Sequence, residues 1–380
     1  MHRGPSGSGK STFLRRINHL EQVNSGMRIG VILGDGIGRE IVPATQRVVA
    51  AATAAAGIDV DWVDLPVGLE AIESHGTPIP DSTLATLDEL DAWILGPHDS
   101  AGYPERFRGQ LTPGAVVRKR FDLFANVRPA RSLEGVASMV TDMDLVIVRE
   151  NTEGLYADRN MFAGSGEFMP TPDVAMAVGM VTRKACERIA HTAFALACAR
   201  RRHVTIVHKA NVLSMTTGLF RDVCREVGES SYPDVRIDDE HVDAMAAHLV
   251  RRGRDFDVIV TENMFGDILS DLTAELSGSL GTAPSVNASE TKVMAQAAHG
   301  AAPDIAGRNR ANPTALMLSA AMMLEVLGDR RDDHRLNAAS RWISEAVRDT
   351  ICSGVATADL GGLASTAEFA ETVLARTLRR

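Results

Sequence analysis

MRIGVILGDGIG, residues 27–38, decides how the chain is read. Met27 opens an apolar run that ends in the turn Gly34-Asp35-Gly36-Ile37-Gly38. A helical pattern over Arg39–Ala56 follows. Strand, glycine turn and helix in that order begin an α/β unit. The turn resembles the dinucleotide fingerprint G-x-G-x-x-G but fails it, because Arg39 stands where Gly or Ala is needed. A simple Rossmann reading is therefore weak. The turn either touches phosphate or only reverses the chain between strand and helix.

Just upstream lies a complete P-loop, GPSGSGKST, Gly4 to Thr12. Such a loop cradles phosphates with backbone N–H groups, and Lys10 and Ser11 would reach the terminal phosphates and Mg²⁺. Its surroundings resemble the start of a polar-amino-acid ABC transporter ATPase. Only Met1, His2 and Arg3 precede it, so it has no strand to fix it. The nearest Walker B candidate, Asp257–Glu262, lacks the Asp-Glu ending, and Leu276–Leu280 is a partial echo of the ABC signature. Residues 1–26 are basic and resemble either a transit peptide or a fragment of an ATPase reading frame joined upstream of Met27. We expect a poorly packed extension, with a frayed helix from Ser11 to Glu21.

Downstream, strand patterns at Arg28–Leu33, Val60–Leu65, Ala92–Leu95, Leu145–Val148, Val204–Val207 and Val258–Val260 alternate with helical ones. The latter include Lys184–Ala199, Met215–Val227 and Val242–Arg251. This alternation predicts an α/β fold with a largely parallel, two-sided sheet. Ala157–Pro172 breaks the rhythm, the strand-like Val174–Met180 follows it, and the chain from Thr314 is mostly helical.

The net charge of −9 over 380 residues, with no basic run outside the N-terminus, disfavours nucleic acid as a partner. The triplet Arg200-Arg201-Arg202 reads as a solvated helix end. No apolar run approaches the roughly 20 residues that span a bilayer. The scattered Cys186, Cys198, Cys224 and Cys352 form no C-x-x-C pair and fit a reducing cytoplasm.

Four stretches can carry chemistry. Arg118 and Arg128 in RKRFDLFANVRPAR, with Arg149 beyond, suit a polycarboxylate, because guanidinium grips carboxylate bidentately; surface salt bridges are the plain alternative. Asp267 and Asp271 in FGDILSDL share one helix face, where like charges destabilise unless a cation such as Mg²⁺ or Mn²⁺ joins them. The alternative is a solvated acidic stripe extended by Glu275. Asp243, flanked by apolar residues, is less readily read as solvated. Lys209 in HKANVL follows a strand directly, where burial could make it a base, and Tyr156 in NTEGLY could act as its acid partner; a snorkelling lysine and a packed tyrosine are the plainer alternative. In AHGAAPDIAGRNRANP, small residues permit close ligand approach and Asp304 could accept from a ribose diol while repelling a 2′-phosphate.

GDGIG, RKRFDLFANVRP, VRENTEGLY, HKANVL, VDAMAAHLV, FGDILSDL and HGAAPDIAG…ANPTA, in this order, resemble the β-decarboxylating dehydrogenases, which include isocitrate, homoisocitrate, 3-isopropylmalate and tartrate/D-malate dehydrogenases. The resemblance runs from Met27 nearly to the C-terminus. It implies a two-domain fold with a mixed, mostly parallel sheet that is not a Rossmann fold. Residues 27–123 and 278–380 would form the cofactor-side domain and 124–277 the substrate, metal and dimerisation domain, with a dimer-forming arm at 157–180. It implies a homodimer with shared active sites and NAD with Mg²⁺ or Mn²⁺ as cofactors. Arg118, Arg128 and Arg149 would clamp a malate moiety, with Thr112 and Asn211 also on the substrate. Asp267 and Asp271 would hold the metal with Asp243 of the partner, and Tyr156 would pair with the partner's Lys209. His299, Gly300, Asp304, Ile305, Asn312 and Gln296 would face NAD.

The chain departs from the family at Gln296, where Glu is usual, and in the loop LGPHDSAGYP from Leu95. Before Arg118, where substrate choice is usually set, it has Thr112-Pro113-Gly114-Ala115. Thr112-Pro113 looks like the Ser-Pro of several homoisocitrate enzymes. The expected substrate is of the isocitrate or homoisocitrate type, with 3-isopropylmalate and D-malate/tartrate as alternatives.

Overall fold

The structure, a computed structural model, describes residues 26–107, 109–156 and 161–380. The P-loop and the helix expected from Ser11 to Glu21 lie outside the described residues, as does the start of the arm, 157–160.

Twelve strands are described: β1 (Met27–Ile32), β2 (Val60–Asp64), β3 (Ala92–Leu95), β4 (Ala125–Arg131), β5 (Asp144–Glu150), β6 (Glu167–Thr171), β7 (Val174–Ala177), β8 (His203–His208), β9 (Arg236–His241), β10 (Val258–Thr261), β11 (Val286–Ala288) and β12 (Val293–Ala295). The helices are α1 (Gly38–Ala55), α2 (Leu69–His75), α3 (Asp81–Glu89), α4 (Pro113–Arg120), α5 (Arg183–Cys198), α6 (Thr216–Ser231), α7 (Val242–Arg252), α8 (Asn263–Ser277), α9 (Thr314–Arg331), α10 (His334–Cys352) and α11 (Thr366–Thr377). None of them is long and apolar enough to cross a membrane.

Ten strands form one sheet in the order β2-β1-β3-β12-β11-β4-β5-β10-β8-β9. Its two ends are parallel, and the antiparallel pairs β12–β11, β11–β4 and β4–β5 lie at its middle. The sheet is thus mixed and mostly parallel. β5, β8 and β10 read as continuous apolar runs because both faces are covered. One apolar cluster joins α1, α9, α10 and α11 to β1 and β12, and a second packs Leu87, Trp93, Val117 and Phe121 on the opposite face. Around β5, β8 and β10, a third cluster involves α5 and α6 and a fourth α7 and α8.

One local expectation gives way. Arg200 is not a solvated helix end. Its Nε donates to Oδ1 of the fully buried Asp257 at 2.8 Å, and Arg201 N–H donates to Oδ2 at 2.9 Å. A buried carboxylate needs such partners, so the Asp of the Walker B candidate is a structural anchor. β9, RIDDEH, carries no apolar pattern because it is the sheet edge, where charge discourages further pairing.

Among the described residues β6 and β7 pair only with each other, and every residue of both is exposed. Phe168, Met169, Val174 and Met176 are among them.

Candidate active site

Arg128 and Arg149 lie on neighbouring strands at the middle of the sheet, 8% and 2% exposed. Buried guanidinium is costly unless its N–H groups are satisfied. Arg128 Nε donates to Asn126 Oδ1 at 2.6 Å, and Nη1 donates to Ser270 Oγ at 2.7 Å and Asp271 Oδ1 at 3.4 Å. Arg149 Nε and Nη2 both donate to Asn263 Oδ1, at 3.0 and 2.6 Å, and Nη1 donates to Asp267. Asn263, Asp267 and Asp271 are spaced at i, i+4 and i+8, so α8 presents one polar stripe to the arginines. The helix comes this close because of Gly266. A Cβ there would stand 2.6 Å from Arg149 Cγ.

Tyr156 Oη donates to Asp267 Oδ2 at 2.5 Å, and the Arg149 guanidinium carbon lies 5.5 Å from the Tyr156 ring centroid. The two aspartates are set apart electrostatically. Burial raises the Asp267 pKa, but Arg149, Arg128 and the Tyr156 hydroxyl outweigh it and hold the carboxyl below its ordinary range. At Asp271 burial prevails over Arg128, and nearby Asp267 adds to the upward shift.

Arg118 joins this group from α4. Its Nη2 donates to Gln296 Oε1 at 2.7 Å. A cleft of about 130 Å³ opens between them, lined by His98, Arg118, Arg128, Ser285, Gln296 and His299, among others. Thr112 is the exposed N-cap of α4 and accepts from Ala115 N–H at 3.3 Å.

Lys209 and Asp243 form a separate pair. Lys209 Nζ donates to Asp243 Oδ1 at 2.5 Å, and this bond holds the Asp243 pKa down. Asp243 opens α7 with its side chain 70% exposed, so it is solvated despite its apolar neighbours. Asn211 is exposed on the turn after β8. Among the described residues, no three His, Cys, Asp or Glu side chains gather closely enough to hold a metal. One chain therefore brings together Asp267 and Asp271, but not Asp243 with them.

On the cofactor side, the GDGIG turn reverses the chain and braces two loops. Asp35 N–H donates to Pro97 O at 2.7 Å and Ile37 N–H to Ala301 O at 2.9 Å. Gly36, at φ +54°, lies so close to Ala301 O that no Cβ would fit. Those two N–H groups are occupied by protein carbonyls, so in this turn they brace loops and do not cradle a phosphate. The buried Asp35 carboxylate ties the start of α2 to the loop after β3, accepting from Leu69 N–H, Asp99 N–H and Tyr103 Oη. His299 Nε2 is buried without a hydrogen-bond partner, and burial lowers the ring's pKa, so a neutral imidazole faces the cleft. A Cβ built at Gly300 meets nothing within 4 Å. Asp304 is exposed, Ile305 half-buried, and Asn312 bridges Asp359 and the Thr314 N–H that starts α9.

Sequence reasoning missed the groups that hold the arginines: Asn126, Asn263, Ser270 and Ser285. Asn126 Nδ2 itself donates to Ser285 Oγ at 2.8 Å. The spacing of Asn263 four residues before Asp267 was a usable signal. It also missed His98, which lies in the unusual loop after β3.

The profile described as isocitrate/isopropylmalate dehydrogenase matches residues 28–373. A 3-isopropylmalate dehydrogenase of Archaeoglobus fulgidus is 42% identical over 91% of this chain and 98% of its own. An isocitrate/homoisocitrate dehydrogenase of Thermus thermophilus is 43% identical over 91% of this chain and 97% of its own. Among solved structures, an isocitrate dehydrogenase from Methylococcus capsulatus superposes with a TM-score of 0.83 at 41% identity, covering 93% of this chain and 99% of its own. The chain belongs to the isocitrate/isopropylmalate dehydrogenase family. It is an oxidoreductase, an NAD-dependent decarboxylating dehydrogenase.

Proposed function

We propose that the chain oxidises and decarboxylates a 3-substituted malate, of the isocitrate or homoisocitrate type, in a site shared by two copies. The contacts of Arg128 and Arg149 with one carboxylate-bearing helix face, and Arg118 beside Arg128 in the same cleft and acting on Asp267 through space, carry this reading. Three guanidiniums suit a substrate with several carboxylates. The polar lining of the cleft, with Ser285 and Gln296 beside the arginines, favours a third carboxylate over a branched alkyl group. The names of the relatives include both kinds, so 3-isopropylmalate is the second reading.

Asp267 and Asp271 supply hard oxygen donors suited to Mg²⁺ or Mn²⁺, with Asp243 of a second copy as the third. When bound, such an ion supplies Lewis acidity at the C2 oxygen through oxidation and decarboxylation. NAD fits against the orphaned His299 Nε2 and the open Gly300, and we assign the exposed Asp304 to its ribose diol; NAD supplies the hydride acceptor. Lys209 of a second copy removes the C2 hydroxyl proton, and Tyr156 returns a proton to carbon once CO₂ has left. Arg118, Arg128 and Arg149 hold the carboxylates throughout, while the Asp267 contact orients the Tyr156 hydroxyl.

A dimer also accounts for apolar exposure. Val212, Leu213 and Met215 lie exposed just after Lys209, and Ile268 just after Asp267. With the β6–β7 hairpin they make surfaces suited to a second copy. We further propose the division into a cofactor-side domain, 27–123 with 278–380, and a substrate domain, 124–277. Its two parts correspond to the two ends of the sheet.

The test is NAD⁺ reduction with Mg²⁺ or Mn²⁺ on isocitrate, homoisocitrate, 3-isopropylmalate, D-malate and tartrate, repeated with NADP⁺. Isocitrate or homoisocitrate should lead, with NAD⁺ preferred at least tenfold because Asp304 would repel a 2′-phosphate. Turnover of none of the five would overturn the reading.

A further inference from the structure

β8 ends on His208, directly before Lys209, and the His208 side chain is only 1% exposed. Ala210 N–H, just past Lys209, donates to His208 Nδ1 at 3.1 Å. A ring nitrogen that accepts carries no proton, so the proton of the neutral imidazole sits on Nε2. Nε2 donates to Asp239 Oδ2 at 3.1 Å, and Arg225 holds the other oxygen of that carboxylate. Burial lowers the ring's pKa against the pull of Asp239, in keeping with a neutral imidazole.

The backbone around Lys209 is held from two sides. Lys209 N–H donates to Thr217 Oγ1 of α6 at 3.1 Å, and that hydroxyl donates on to Leu213 O at 3.1 Å. Lys209 O accepts from Val212 and Leu213 N–H at 3.0 and 2.9 Å. The two amides that follow β8 thus rest on a threonine and an imidazole, where a strand partner would otherwise satisfy them. The β8–β9 ladder ends at the pair His208 and His241, whose rings stand 5.1 Å apart. Past that pair, side chains take over from the ladder. β9 runs straight into α7, whose first turn carries Asp243, the partner of Lys209 Nζ. Asp239 and Asp243 therefore lie on one continuous segment, and His208 stands between it and the turn that carries the lysine.

We propose that His208 is a positioning residue for Lys209: braced by Asp239, its imidazole fixes the turn from which this chain extends the amine into the site of a second copy. This rests on the reading of the reaction given above. Neither His208 nor Asp239 touches the substrate in that reading. Their effect is to hold the amine within reach of the C2 hydroxyl proton, where a displacement of about 1 Å can cost about a hundredfold in rate.

The experiment compares the unaltered chain with His208→Asn, His208→Gln and His208→Leu on the best of the five substrates. The Asn carbonyl oxygen falls where Nδ1 stands and can accept the Ala210 N–H. A Gln amide can reach Asp239 but leaves that N–H bare, and Leu does neither. kcat should fall about tenfold or more in His208→Gln and His208→Leu, with KM within about threefold, while His208→Asn keeps about a third of kcat. An Asn variant no better than Gln would overturn the inference. So would a loss carried mainly by KM.

Mixed dimers locate the effect. Co-expressed with Tyr156→Phe, His208→Leu should regain activity, because one site of each mixed dimer takes its lysine from a chain with His208 intact. Co-expressed with Lys209→Ala, it should do no better than His208→Leu alone. Equal recovery in the two mixtures would overturn the inference. If thermal melting shows that leucine unfolds the chain, His208→Gln takes its place in both mixtures. A fully active His208 series beside an inactive Lys209→Ala would overturn this inference alone. An active Lys209→Ala would overturn the functional reading, and this one with it.

Discussion

The carboxylate of Asp267 is shared: Tyr156 Oη donates to Oδ2 and Arg149 Nη1 to Oδ1. The Lys209 ammonium is engaged elsewhere, on Asp243. If each site takes Tyr156 from one chain and Lys209 from another, Tyr156→Phe and Lys209→Ala should each abolish turnover when alone. Co-expressed in equal amounts, they should regain about a quarter of normal activity, since half of the dimers would hold one intact site of two. Failure of the mixture to exceed either parent would count against shared sites.

Gly266 sets the distance between α8 and β5. Gly266→Ala places a Cβ 2.6 Å from Arg149 Cγ and 2.7 Å from its Cβ. Arg149 is almost fully buried and cannot swing away, so the helix must shift. The expected cost is about 1–3 kcal/mol of stability, as for other overpacked cores. Activity should fall farther than stability, by two orders of magnitude or more, because Asn263, Asp267 and Asp271 move together. Urea unfolding and steady-state kinetics on the same preparation would separate the two effects.

Glu262 gives a pH dependence of definite sign. It is 6% exposed, and its Oε1 has no hydrogen-bond partner. Burial first, then nearby Glu150, pushes its pKa up to about 7. The folded chain thus keeps a proton that the unfolded chain releases from about pH 4.3 upward. The associated stability is complete below that pH and is lost as pH rises through 7. Glu262→Gln cannot ionise, so it should match the unaltered chain near pH 4 and exceed it at pH 8. The expected gap is on the order of 1–3 kcal/mol. Equal denaturation midpoints at pH 8 would sink this account.

The P-loop residues serve no step in the proposed reaction. Lys10→Ala, and removal of residues 1–26, should leave dehydrogenase turnover within about twofold, since the family profile matches residues 28–373. A tenfold loss in either variant would give that segment a role in the enzyme.

Much of the fold was legible because burial on both faces writes a continuous apolar run. β5, β8 and β10 stand close to where Leu145–Val148, Val204–Val207 and Val258–Val260 put them. β4 was not legible as a strand, because Arg128, Pro129 and Arg131 interrupt it. Proline survives there because β11 pairs β4 only over residues 125–127, which leaves Pro129 without a partner on that side. β11 and β12 are three residues each, too short for any period to show. At the site, the arginines and aspartates could by themselves be read as surface charges, and only the order of motifs grouped them. Their neutral supports, Asn126 and Ser270, carry no charge and no periodic signal, so only the fold brings them to Arg128. The glycine turn was ambiguous in sequence because bracing a loop and cradling a phosphate ask for the same small residues. Only the partners of Asp35 and Ile37 distinguish them.

The β6–β7 hairpin has a further consequence. A ribbon of two strands is marginal by itself in water, and every residue of both strands of this one is exposed. Its order should then track concentration. Upon dilution, protease cleavage between Glu167 and Ala177 should accelerate before the rest of the chain loosens, so a single nick would serve as a gauge of how many copies still stand together.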